Sequence, residues 1–125
     1  MLDFAKEIEK KILEKLSVTA DEIGESFPHA SLDGKYDDSN ITWWTNGFWC
    51  GILWLAYRAG GDEKFRKIAE QCEEKLDEVL HGYIYTDHDA GFMWSLSAVA
   101  DYKLTQNEKS KVRGLIAANY LAGRF

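Results

Sequence analysis

Proline, cysteine and histidine are scarce in this chain, with one, two and three copies among 125 residues. Because Pro28 is the only proline, most of the chain is free to be helical. Cys50 and Cys72 fall inside predicted helices and have no CxxC or histidine-rich neighbourhood, so we interpret both as buried, reduced thiols; a disulfide or a metal role is the less favoured alternative. We predict no cofactor and no metal ion.

Excess positive charge and long apolar runs are also missing. The 15 basic side chains are outnumbered by 21 acidic ones, giving a formal charge of -6, which would repel a phosphate backbone. We therefore predict no nucleic-acid partner. No segment approaches the roughly 18 consecutive apolar residues that span a bilayer, and the first turns carry charge throughout. We expect no membrane association and a cytoplasmic location.

Hydrophobic residues, by contrast, make up 46% of the chain and aromatic residues 14%, enough for one compact core. We interpret residues 1–125 as a single domain. Amphipathic patterns over residues 2–16, 62–79 and 107–122 alternate with nearly continuous apolar runs at 48–57 and 92–104. Helices that alternate in this way predict an all-α array of hairpins, in which an inner layer is covered by an outer one.

The same short pattern occurs twice. Gly47-Phe48 matches Gly91-Phe92 at an offset of 44, and Tyr57-Arg58 matches Tyr102-Lys103 at an offset of 45. A closed ring of hairpins needs several such units, whereas this chain holds two and a preceding helix. We therefore predict roughly the first third of a closed α/α toroid.

Asp87, His88 and Asp89 stand together before the second apolar helix. An Asp at a helix N-terminus commonly caps backbone N–H groups, which accounts for one of these carboxylates. Two carboxylates around an imidazole, next to a buried helix, also place titratable groups where pKa values shift and acid–base catalysis becomes possible. Metal binding is the rival interpretation, but no distant His or Cys set completes a site.

Tryptophans fall into two groups. Trp49, Trp54 and Trp94 lie inside the apolar helices, where packing in the core is the simpler role. Trp44 stands just before an inner helix, close to Asn46, and the repeat places it at the same end of the array as Asp89. An indole near carboxylates and an amide commonly holds a sugar ring.

Three segments together match a known family: 44–49 (WTNGFW), 87–92 (DHDAGF) and 122–125 (AGRF). With Trp54 and Tyr57, they resemble the N-terminal part of the unsaturated glucuronyl hydrolases, glycoside hydrolase family 88. The resemblance covers the whole chain in order. Its most specific element is the combination of the first two segments at this separation.

The resemblance implies an (α/α)6 barrel that acts on an unsaturated oligosaccharide, removing a 4,5-unsaturated uronic acid from the non-reducing end. In that family an aspartic acid protonates the double bond, water adds at C5, and the hemiketal opens, unlike the usual two-carboxylate scheme. Carried over by position, Asp89 resembles one of the two catalytic aspartates. His88 and Trp44 resemble substrate contacts, and Asn46 is a further candidate.

The family's second aspartate should lie some tens of residues beyond Asp89. Asp101, the only later aspartate, stands on the same predicted helix about 18 Å away and is not expected to be that partner. We therefore expect the isolated chain to be inactive. Two alternatives stay open: an unsaturated rhamnogalacturonyl hydrolase on the same barrel, and a non-catalytic helical interaction module.

An incomplete ring would also leave part of its inner layer uncovered. We expect exposed inner-helix faces that carry Trp49, Trp54 and Trp94, and self-association through them.

Overall fold

A computed structural model of the chain describes residues 2–37, 40–82 and 87–124. Six helices and one small hairpin form within these ranges. In chain order the elements are α1 (Leu2–Ile23), β1 (Ala30–Leu32), β2 (Lys35–Asp37), α2 (Asn46–Gly60), α3 (Glu63–Gly82), α4 (Ala90–Leu96), α5 (Ala98–Thr105) and α6 (Glu108–Ala122).

The helices form two layers, as the alternating pattern predicts. The inner helix α2 packs against α3 and α4, while α4 and α5 pack against α6. The predicted all-α hairpin array is therefore confirmed. No helix in the described part of the chain combines the length and the apolar character needed to cross a bilayer.

The largest departures from the predicted helix bounds occur in two places. The first helix was expected to end at residue 16 but continues to Ile23, because Ala20 and Ile23 add a final buried turn. The predicted helix 92–104 is broken at Ser97, whose backbone has φ -100° and ψ -93°. The Ser97 hydroxyl donates a 2.6 Å hydrogen bond to the Met93 carbonyl oxygen, a local bond that competes with the helical ladder.

The β-hairpin was not anticipated. Its strands pair antiparallel, with Leu32 opposite Lys35, and Asp33 and Gly34 form the turn with φ 51° and 76°. Positive φ at both central residues is typical of a type I′ turn, for which Asp-Gly is a favoured sequence. The signal was present in the chain, but the strands are short and their described side chains are exposed, so no apolar alternation marks them.

The repeat found in the sequence is a repeat of backbone geometry. The N–H of Gly61 donates to the Tyr57 carbonyl oxygen at 2.7 Å, and the N–H of Gln106 donates to the Tyr102 carbonyl oxygen at 2.9 Å. Both donor residues have left-handed φ values, 70° and 62°. The two inner segments therefore end in the same αL cap.

The two Gly-Phe segments differ in what their glycines allow. Gly47 lies directly against the backbone of α4: a Cβ there would overlap the Phe92 carbonyl oxygen and lie 2.6 Å from Met93 Cα. Gly91 is roomier, since its Cβ would meet only Leu121 Cδ1 at an ordinary 3.7 Å. The first glycine is thus required by the close approach of α2 and α4, whereas the second is not.

Three of the five tryptophans lie in the core. Trp49, Trp54 and Trp94 are 5%, 1% and 2% exposed, so their predicted packing role is confirmed, and Cys50 and Cys72 are buried and unpaired, also as predicted. The expectation that these three indoles line an uncovered inner face is wrong. They point between the layers, where helix packing covers them.

A different set of apolar side chains is uncovered. Phe48, Ile52 and Leu55 on α2 and Phe92 on α4 are 42–65% exposed, so these helices are not buried on all sides. We call these four side chains the inner apolar face. The first helix also exposes apolar side chains: Phe4, Ile8 and Ile12 of its amphipathic pattern are exposed, and its buried residues, Ala20 and Ile23, lie near its end.

Replacing Gly47 by Ala should destabilise the chain strongly, because the new methyl group meets backbone atoms that cannot rotate away. We expect a loss of about 1–3 kcal/mol in the free energy of unfolding, measured by chemical denaturation. Gly91→Ala is the matched control, and its effect should be neutral or slightly stabilising. Equal effects of the two substitutions would contradict the close approach.

The inner apolar face should cause concentration-dependent association. Leu55→Glu places a charge at its most exposed position and should shift the mass measured by light scattering towards that of the monomer. Leu115→Glu, at a similarly exposed apolar position on the outer helix α6, should leave the mass of the wild-type chain unchanged. A wild-type chain that stays monomeric at high concentration would contradict this prediction.

Candidate active site

A polar cleft of about 450 Å³ lies where the turns before α2 and α4 meet. Its lining combines an amide, a hydroxyl, two indoles and two carboxylates with the start of α4: Asn40, Thr42, Trp43, Trp44, Asp87, Asp89, Ala90 and Met93. The structure therefore brings the predicted residues Trp44 and Asp89 to one cleft. This follows from the repeat, because matching turns precede the two adjacent inner helices.

Asp89 is the N-cap residue of α4, yet its side chain makes no capping hydrogen bond. Capping in this turn falls to Asp87, whose Oδ1 accepts the Asp89 backbone N–H at 2.8 Å. The Asp89 carboxylate is left partly exposed, with His88 Nε2 3.6 Å from its Oδ1. The two carboxylates therefore differ: one supports the backbone, and the other is available to a ligand.

Trp44 stands on an aromatic cluster at the edge of the cleft. Its ring centroid is 5.7 Å from that of Phe48 and 5.6 Å from that of Phe92, and the two phenylalanine rings stack at 6.2 Å. These edge and tilted contacts hold the indole in place while 37% of the residue stays exposed. The Gly-Phe pairs thus place both phenylalanines under one exposed indole.

Trp43 separates the polar cleft from a second, more apolar hollow. Its ring lies 4.5 Å from that of the exposed His29, and its Nε1 is buried without a hydrogen-bond acceptor. Trp43 and Asp87 both line the cleft. Asp87 was predicted only as one of the two carboxylates before α4, as a cap or a titratable group, and no site role was predicted for Trp43. Their positions 44 residues apart, matched in the repeat, are a signal that could have identified them.

His88 and Asn46 lie outside the cleft. The His88 side chain is 81% exposed and lines a neighbouring hollow with Phe48 and Phe92. Asn46 is 2% exposed, and its amide group donates to the carbonyl oxygens of Asn40 and Ile41 at 3.0 and 2.9 Å. Both amide hydrogens of Asn46 therefore hold the turn that carries the tryptophans. A substrate contact stays a prediction for both residues.

Asp101 is fully buried and hydrogen-bonded to Ser110, Thr105 and Asn107. It therefore cannot face the cleft with Asp89, in agreement with the sequence analysis. Among the described residues, no group of three His, Cys, Asp or Glu side chains is gathered as a metal ion would require.

Comparison with known proteins identifies what the chain is similar to. It is 39% identical over 123 residues to an unsaturated glucuronyl hydrolase of Bacillus sp. (strain GL1), and 35% identical over 115 residues to an unsaturated chondroitin disaccharide hydrolase of Streptococcus pyogenes serotype M1. These matches include 94% and 90% of this chain. The chain resembles the N-terminal part of the unsaturated glucuronyl hydrolases.

Solved structures support the same resemblance to the glucuronyl hydrolases. A variant of the Streptococcus agalactiae enzyme, crystallised with dGlcA-GalNAc6S, superposes with a TM-score of 0.87 at 34% identity over 96% of this chain. The Bacillus sp. GL1 enzyme gives 0.78 at 37% identity over 86% of it. The expected resemblance and the barrel fold class are therefore confirmed. No protein-family model matches the chain.

The chain is much shorter than these glucuronyl hydrolases. It spans 32% of the curated Bacillus relative and 29% of the Streptococcus pyogenes one. The polar cleft is therefore formed by a chain about a third as long as these relatives.

The different roles of the two aspartates predict different effects on stability. Asp87→Ala removes the acceptor of the Asp89 N–H and should lower the free energy of unfolding by about 1 kcal/mol. Asp89→Asn removes only an uncommitted charge and should change it by less than about 0.5 kcal/mol. Chemical denaturation of both variants tests this, and a larger loss for Asp89→Asn would show that its carboxylate is structural.

Proposed function

We propose that the chain is part of a family 88 glycoside hydrolase that releases a 4,5-unsaturated uronic acid from oligosaccharides generated by lyases from glycosaminoglycans. The observation that carries this proposal is the uncommitted carboxylate of Asp89 in a polar cleft beside the exposed indole of Trp44. The relatives' names, glucuronyl and chondroitin disaccharide hydrolase, favour this substrate class over a rhamnogalacturonyl one.

Trp44 suits the binding of a sugar ring. A pyranose presents apolar C–H groups on one face and hydroxyl groups at its edge, so it stacks on an indole while polar groups bind the edge. The Phe48 and Phe92 contacts hold Trp44 from below, and Asn40, Thr42 and Asp89 line the cleft next to it. The cleft thus combines an apolar platform with hydrogen-bonding groups, the usual arrangement for a polar ligand.

Asp89 would take part in proton transfer. Hydration of the C4=C5 double bond needs a proton delivered to C4 and a water molecule that gives its oxygen to C5 and its proton to a base. The product is a hemiketal, which opens and releases the rest of the oligosaccharide as an alcohol. A carboxyl group can be the acid or the base, and the Asp89 carboxylate is free for either because Asp87 holds the backbone.

His88 and Asn46 complete the proposed set. His88 is exposed next to Asp89 and could turn towards the uronate carboxylate. Asn46 would support the same ligand, since its amide fixes the turn that carries Trp44.

The cleft supplies one of the two catalytic aspartates that the family resemblance implies. We propose that the chain is part of a single barrel domain whose second catalytic aspartate lies outside these 125 residues. Self-association through the inner apolar face and a cytoplasmic location also remain proposals.

The isolated chain should therefore be inactive or nearly so. Incubation with an unsaturated chondroitin disaccharide should leave the ultraviolet absorbance of the conjugated double bond unchanged. Rapid loss of that absorbance would show that the chain holds a complete site.

A chimera tests the role of Asp89. Joining this chain to the remaining two thirds of the Bacillus relative should restore hydrolysis of the disaccharide. Asp89→Asn in the chimera should lower kcat by about 10²–10⁴-fold. Asp62→Asn, in the turn between α2 and α3, is the control and should retain full activity. An active chimera that tolerates Asp89→Asn would refute a catalytic role for this residue.

A further inference from the structure

Glu73 carries a carboxyl group that is buried between helices, and the function proposed for the cleft does not involve it. It lies in the middle of α3, is 1% exposed, and faces α2, α5 and α6. Its Oε1 accepts the Trp54 Nε1–H at 3.1 Å, and its Oε2 lies 2.7 Å from Ser110 Oγ. A buried charge is costly unless it is paired, so the protonation state of Glu73 bears on how the helices pack.

Ser110 lies between two carboxyl groups. Its Oγ is 2.7 Å from Glu73 Oε2 and 2.6 Å from Asp101 Oδ2. A serine hydroxyl has a single hydrogen and can donate it to only one of them. If both carboxyl groups were ionised, the other contact would bring two oxygen atoms together with no hydrogen between them. The geometry therefore requires a proton on one of the two acids.

The hydrogen-bond donors are divided unequally between the two acids. Asp101 accepts from the Thr105 hydroxyl and, at 2.8 Å, from Asn107 Nδ2, so each of its oxygens has a donor besides Ser110. Glu73 has only the neutral Trp54 indole as a further donor within hydrogen-bond distance.

The nearest cation is already committed to another carboxylate. Arg113 donates from Nε and Nη2 to the two oxygens of Asp77 at 2.7 and 2.6 Å, whereas its Nη1 stays 3.6 Å from Glu73 Oε2. Asp77 thus forms a bidentate ion pair with the guanidinium group. The titratable groups that face Glu73 are Asp101 from α5, Arg113 from α6 and the Cys50 thiol from α2.

We propose that Glu73 is protonated in the folded chain. Its carboxyl O–H donates a hydrogen bond to the Ser110 hydroxyl, which in turn donates one to Asp101. The packing of α3 against α5 and α6 therefore depends on pH. Loss of this proton leaves two anions around one hydroxyl group. The network is a proton-dependent clamp built into the fold, and it does not rest on the proposed catalytic function.

The direction of the pH effect follows from the pKa of Glu73. Burial, the largest cause, together with the Asp101 charge, raises the pKa from 4.5 to about 7, against the opposing effects of the Ser110 and Trp54 hydrogen bonds and of the Arg113 charge. A carboxyl group whose pKa is raised in the folded state binds more protons folded than unfolded. The stabilisation is therefore complete below about pH 4.5 and is lost as the pH rises through about 7.

Thermal unfolding of the 125-residue chain between pH 5.5 and 8.5 tests the proposal. The wild-type Tm should fall by at least about 5 °C across this range. Glu73→Gln copies the protonated acid, since its amide can donate to Ser110 and accept from Trp54, and should remove most of that fall. Glu74→Gln, at the exposed neighbouring position, is the control and should keep the wild-type slope. Equal slopes for the wild type and Glu73→Gln would overturn the proposal.

A direct titration decides the matter even if the variant folds poorly. In the wild-type chain, the side-chain carboxyl carbon of Glu73, followed by ¹³C NMR, should titrate with a midpoint near pH 7. A midpoint near 4.5 would show that Glu73 is ionised at neutral pH and would refute the clamp.

Discussion

The close approach of α2 and α4 is the constraint on which the candidate site depends. Gly47 has no side chain, so the first turn of α2 lies directly on the backbone of Phe92 and Met93. This contact brings the turns before the two helices together, and they then supply Trp44 and Asp89 to one cleft. It also stacks Phe48 on Phe92 beneath the exposed indole. A small residue at one position therefore sets the spacing of an aromatic platform and a carboxylate.

The outer helices α3 and α6 are joined to α5 in a different way. Between α3, α5 and α6 the contacts centre on Ser110 and two buried carboxyl groups, and α2 joins them through the Trp54 indole. Such a cluster is tolerated in the interior only because each carboxyl oxygen has a hydrogen-bond partner and because Arg113 neutralises Asp77. The contact between α2 and α4 depends mainly on shape, whereas the packing of α5 against the outer helices also depends on where the protons are.

The exposed apolar surface and the cleft both fit the proposal that the chain is part of a larger barrel. The inner helices bury their tryptophans between the layers but expose Phe48, Ile52, Leu55 and Phe92 on the other side, as expected where further hairpins of a ring would pack. The chain spans about a third of the relatives it matches. In the same way, the cleft offers an aromatic platform and one of the two aspartates that the family resemblance implies.

Much of this protein was determined by its sequence alone, because periodicity, caps and turn residues act over a few positions. Those local signals identified the alternating helices, the repeated Gly-Phe segments and the cleft residues Trp44 and Asp89. Only the tertiary structure decided which side of each inner helix is covered and that the helix after Asp89 breaks at Ser97. It also decided that the Asn46 amide holds a turn and that Ser110 lies between Glu73 and Asp101. These features arise from close backbone contacts and from hydrogen bonds between buried polar groups. Many of these contacts join residues that are distant in the chain, so no local pattern encodes which groups face each other.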